Sequence, residues 1–309
     1  MSIEEAQAGL VRALAFHEAW GYAPTEVELV ASWDGGMVFP GSKPEFGLVW
    51  QGLQALIQKE KVFCQRGRVF FAGREMLVQE HERREVLFTR KIRRARRVAR
   101  WLACLGGVRF VALCNTTALA HAREMGDLDF FIVTRAHSLW QTRGLAALPF
   151  KLLGLRPTFE MGEERDAVCL SFFIDDSALE LNTLQLTQDD PYFRHWFLSL
   201  LPLVDDGIGQ QLWEANTAIL KRHPLSSMWM VHPELGISLP LIRFPFLSAL
   251  EERAKRAQMN VLPKGIKERA NRATDVVVND HVLKLHATDN RGVFRETYYA
   301  ICQRHGVTP

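Results

Sequence analysis

Apolar and polar positions alternate with different periods along this chain, and each change of period predicts an element. Residues 4–20 carry Leu10, Leu14, Ala15 and Trp20 at helical spacing and stop at Gly21, as an amphipathic helix does. Thr25-Glu26-Val27-Glu28 has the form of a capping box opening a second short helix, which the Gly35-Gly36 pair closes. A third helix is expected over 46–59. Runs 62–65 and 68–71, split by Arg66-Gly67, read as a hairpin. Over 74–105, Phe88, Ile92, Ala95, Ala99 and Leu102 keep the spacing of one long helix with a buried stripe.

After Gly106-Gly107 the period shortens. The β-branched and aromatic runs 108–113 and 130–133 predict adjacent strands of a buried sheet, joined by a turn and a helical segment over 118–124. Ser138-Leu139-Trp140-Gln141 is another capping-box pattern, opening an apolar helix that runs to Gly154. Strands near Thr158 and over 167–174 complete a small mixed sheet with helices on its face, an α/β (α+β) core. Beyond it, Asp190-Pro191 caps a helix over 191–201, a second spans 208–222, a third 247–259, and a strand over 282–286 precedes a last helix over 293–305. Residues 264–272 read as a basic loop, and 224–245 show no clear period. The units are therefore residues 1–73, a basic connecting helix over 74–105, a core over 106–188, and a mostly helical region over 189–309.

Composition changes this picture little. With 309 residues and a formal net charge of +3, the chain is long enough for a sizeable core and is not a polyanion binder by charge alone. Its five cysteines, Cys64, Cys104, Cys114, Cys169 and Cys302, are scattered without ligand spacing and point to a reducing, cytoplasmic compartment. No signal peptide is apparent, and the longest apolar stretch, 144–155, is shorter than the ~20 residues a bilayer span needs, so no membrane partner is expected.

Local charge matters more. Asp127 and Asp129 begin the second core strand; two apart, they share a face and can share one divalent cation. Asn115-Thr116-Thr117 forms the turn after the first strand, where amides and hydroxyls suit an anion. This order resembles the polymerase-β-like nucleotidyltransferases, whose motif is Gly-Ser on a strand-to-helix turn followed by Asp-x-Asp on the next strand. Asn115 falls on the glycine, Thr116 on the serine, and Asp127 and Asp129 on the acidic pair. Residues 139–143, 169–173 and 283–291 resemble further signatures of an uncharacterised bacterial subgroup in which a winged-helix-like domain precedes the core. Three helices and a hairpin are the order of a winged helix, although 46–58 holds no Lys or Arg with which to meet DNA phosphates.

The resemblance implies Mg²⁺ (or Mn²⁺) on Asp127 and Asp129, an NTP as substrate, and transfer of its NMP to an acceptor. Asn115, Thr116 and Thr117 would bind the nucleotide. The third carboxylate, expected inside the 167–174 strand, is missing there, and Asp175 or Asp176 at its end is the replacement expected. Arg143 is a possible phosphate ligand, as are Lys284 and His286, which share a face of the extended tail segment. Arg90, Arg93, Arg94 and Arg97 crowd the long helix with few acidic residues nearby in sequence, which suits RNA or another polyanion. The alternative is a degenerate core serving as a nucleic-acid-binding or regulatory module. Oligomeric state leaves no mark in the sequence.

Overall fold

The computed structural model describes residues 1–36, 44–155, 165–286 and 288–309. Chain order begins with α1 (Ile3–Trp20), α2 (Glu26–Ala31), α3 (Phe46–Gln58) and an antiparallel hairpin of β1 (Phe63–Gln65) and β2 (Arg68–Phe70). Capping boxes open the first two helices: the Ser2 hydroxyl accepts from the Glu5 amide and the Thr25 hydroxyl from the Glu28 amide, while each glutamate accepts from its cap's own N–H. Leu10, Leu14, Leu29, Trp33, Val49 and Leu53 form the core of this unit.

The long helix, α4 (Met76–Ala103), leads to β3 (Val108–Leu113), the single turn α5 (Asn115–Ala118), β4 (Leu128–Thr134), α6 (Leu139–Leu152) and β5 (Val168–Asp175). Next come α7 (Pro191–Leu198), β6 (Leu201–Asp205), α8 (Ile208–Ala215), α9 (Thr217–Arg222), α10 (Ser248–Val261), α11 (Lys264–Arg269), β7 (Val276–Val278), β8 (Val282–Leu285) and α12 (Arg291–Arg304).

One six-stranded sheet, in the order β6-β3-β4-β5-β8-β7, organises everything after α4. Only the β4/β5 pair is parallel. Alternation along β4 sends Leu128, Phe130 and Ile132 to a core shared with α4 and α6, and Phe131 and Val133 to a second core under Phe193, Trp196 and Phe197 of α7. The mixed α/β class is as expected.

Several details differ. The region after 188 is not a separate helical unit, because β6, β7 and β8 supply half of the sheet and Tyr298, Ile301 and Cys302 of α12 complete the core of the first unit. Residues 201–205, of which only Leu201 is expected to be helical, form the edge strand β6, where Pro202 falls at a register shift in the pairing with β3. The 208–222 helix breaks at Asn216, whose side chain bonds the Leu181 amide and the Leu179 and Leu212 carbonyls. Residues Lys264–Arg269 are helical rather than loop. Ser138 makes no cap; its hydroxyl donates to the Arg135 carbonyl instead. The strand expected near Thr158 lies outside the described residues. No helix among those described is long and apolar enough to cross a membrane.

Candidate functional site

Parallel pairing of β4 and β5 sets Asp129 opposite Cys169 at the strand starts, next to the chain leaving β3. Asp127, Asp129 and Cys169, all half-buried, present one ligand atom each within 4.8 Å of one another. Asn115 sits where the chain turns from β3 into α5, at φ 59°, in the left-handed region that asparagine tolerates better than most residues. Its amide Nδ2 donates to Asp129 Oδ2 at 2.8 Å, and its Oδ1 accepts from the Tyr192 hydroxyl at 3.0 Å. Tyr192 in turn stacks on Trp20 of α1, with ring centroids 4.9 Å apart. A continuous chain of contacts thus joins the first helix to the acidic pair.

Asp127 and Asp129 set the local electrostatics. Burial, then the Asp129 and Asp127 charges, pushes the Cys169 and Cys114 thiols well above their ordinary range. Tyr192 is raised by burial first and by Asp129 second. Each of these groups therefore keeps its proton at neutral pH. Two carboxylates suit a hard, oxygen-preferring cation, whereas a protonated thiol is a poor third ligand for one. Asp127 and Asp129 could therefore hold a divalent cation.

Thr116 is half-buried beside the turn, whereas Thr117 is 2% exposed. The helical segment expected over 118–124 is absent, since α5 ends after one turn at Ala118, and the array of free helix amides expected there goes with it.

Asp175 does not join the site. Because β4 and β5 run parallel, it lies opposite Thr134, six residues from Cys169 and so about 20 Å away along the strand. There it accepts from Ser177 and from His281 Nδ1 at 2.9 Å, while Asp176 pairs with Arg109 at 2.9 Å. Arg143 is also elsewhere, buried between α6 and α10, with Nη1 donating to Gln258 at 2.6 Å.

Lys284 and His286 lie nearer. Pairing places Lys284 opposite Phe172, which neighbours Phe131 on β4, so the lysine shares the Asp129 face two strands over, on the order of 12 Å away. It is 2% exposed; Nζ donates to the Thr274 carbonyl at 2.5 Å and stands over the Phe172 and Phe193 rings. Burial first, then the Arg291 charge, lowers its pKa to about 7. Burial, with Lys284 second, lowers His286 to about 3, which makes it a neutral imidazole. Arg291 bonds Asp289 and Asp190, the N-cap of α7, so this whole tail segment packs against the helix that carries Tyr192.

The basic helix is partly answered from within the chain. Arg90 pairs with Glu124 at 2.7 Å, Lys91 reaches the fully buried Asp166 carboxylate at 2.8 Å, and Arg94 pairs with Asp166 as well. Arg93 and Arg97 make no ion pair with a described carboxylate; Arg94 and Arg97 border a cleft of about 480 Å³ with Trp101, Leu128, Phe150 and Val168. That cleft lies on the α4/α6 face of the sheet, away from Asp129.

Cys169 and Tyr192 are the site residues that sequence reasoning passed over. Alternation from Val168 would have placed Cys169 on the Asp129 face, but only with the parallel register known. No family model, curated protein or solved structure matches the chain.

Proposed function

We propose that the chain binds a nucleoside triphosphate with one Mg²⁺ or Mn²⁺ at Asp127 and Asp129 and transfers its NMP to an acceptor hydroxyl or phosphate, as its resemblance to the polymerase-β-like nucleotidyltransferases implies. The observation that carries this reading is the convergence of two carboxylates at one sheet end, beside a left-handed turn fixed by Asn115. When bound, the cation would supply charge neutralisation at the phosphates. Asp127 and Asp129 would hold it, Thr116 would meet phosphate oxygens from the turn, and Tyr192 would hold Asn115 so that its amide stays on Asp129.

One observation favours a second reading, a binding or regulatory module without turnover. The residue facing Asp129 from the neighbouring strand is Cys169, where a two-cation transferase would place another carboxylate. Incubation with α-labelled NTPs, Mg²⁺ or Mn²⁺ and cell extract separates them: a labelled acceptor that disappears with Asp129→Asn supports transfer. Nucleotide binding without any labelled product supports the module.

A further inference from the structure

Three buried side chains converge where the first unit meets the helices beyond the sheet. Asp34 follows α2, His195 lies on α7, and His223 follows α9; their exposures are 1%, 6% and 1%. One ligand atom of each lies within 4.8 Å of the others, and the two imidazole centroids are 4.7 Å apart.

Hydrogen bonding fixes which atoms are available. His223 Nδ1 stands 3.2 Å from the Ser32 carbonyl, which can only accept, so Nδ1 carries the proton and Nε2 carries the lone pair. That Nε2 is buried and has no hydrogen-bond partner among the described residues. A histidine that spends one ring N–H on a backbone carbonyl and presents the other nitrogen bare has the arrangement of a metal ligand. Asp34 Oδ1 is occupied by Arg222 Nε at 2.5 Å and the Gly36 amide at 2.8 Å, whereas among the described residues Oδ2 meets the Tyr298 hydroxyl, at 3.3 Å. A lone pair of Oδ2 remains for a cation.

We propose that Asp34, His195 and His223 form a site for a borderline divalent transition metal of the zinc class, which ties the first unit to α7 and α9. Two neutral imidazoles and one carboxylate suit Zn²⁺ or Co²⁺ and discriminate against Mg²⁺, which prefers an all-oxygen shell. Arg222 and Arg194 stand nearby, paired with Asp34 and Asp189, and their charges limit affinity. The site is independent of the Asp127/Asp129 pair.

The test uses the full chain, stripped with a chelator and titrated with Zn²⁺ or Co²⁺. Stoichiometric uptake with a rise in Tm is expected, lost in His195→Gln and His223→Gln and retained in Asp127→Asn. Should the histidine variants fail to fold, X-ray absorption of the zinc-loaded wild type decides: two imidazoles in the shell support the proposal. An absence of uptake, a Tm rise kept by the histidine variants, or a shell containing sulfur or only oxygen overturns it.

Discussion

The acidic end of the sheet and the buried junction at Asp34 each gather three ligand-type side chains, yet they differ in every physical respect that sets chemistry. Asp127, Asp129 and Cys169 are half-buried and lie at the ends of neighbouring strands. Asp34, His195 and His223 are buried, drawn from three distant segments, and set among paired charges. A half-buried cluster keeps some access to solvent. A sealed, nearly neutral one holds segments together.

The largest effect should come from breaking the sealed junction. Asp34→Ala leaves Arg222 buried without its main partner and should destabilise the fold by about 3–5 kcal/mol, read from urea unfolding. If the loss is under about 1 kcal/mol, the junction does not hold the units together, and the contrast collapses.

Acid should act on the same region. Burial is the first cause lowering His17 and His223 to about 4 in the folded chain, against about 6.5 when unfolded. The unfolded state therefore binds more protons below that value, so stability is full above about pH 6.5 and declines progressively towards pH 4. By linkage each histidine should cost roughly 1–2 kcal/mol at pH 5 relative to pH 7.5. An unfolding midpoint in urea that is unchanged between these two pH values would show that the imidazoles are hydrated.

At the open end, Tyr192→Phe removes one half-buried hydrogen bond to Asn115 and should lower stability by only about 1 kcal/mol. Nucleotide affinity should fall with it, because the Asn115 amide loses its anchor. Smaller still are Arg93→Gln and Arg97→Gln, expected within about 0.5 kcal/mol of wild type by thermal unfolding. Arg94→Gln should cost more, since it removes one of the cations, beside Lys91 and Arg90, that answer the buried Asp166. If Arg93 and Arg97 contact a polyanion, their replacement should flatten the salt dependence of its binding; an unchanged slope removes that partner.

Much of the open site could be read from residue order and little of the sealed one. The strands 108–113 and 128–134, the pair Asp127/Asp129 and the turn at Asn115 are local patterns, and local patterns survive in a single sequence. Strand direction does not. The expectation that Asp175 completes the site failed because the end of β5 is distant when β5 runs parallel to β4, a fact set by the crossover through α6. The edge strands β6 and β7 escaped notice because LPLVD contains a proline and VVV is only three residues long. Glu124 and Asp166, which answer the basic helix, lie at separations of 34 and 72 residues from Arg90 and Arg94. The Asp34 junction spans nearly 190 residues and has no local signature at all.

Isothermal calorimetry with ATP, GTP, CTP and UTP in the presence of Mg²⁺, on wild type and Asp127→Ala, tests the reading of the acidic end most directly. Binding of at least one nucleotide, dependent on the cation and abolished by the substitution while the Tm stays nearly unchanged, is the predicted result. No binding of any nucleotide, or binding that survives Asp127→Ala, would contradict it.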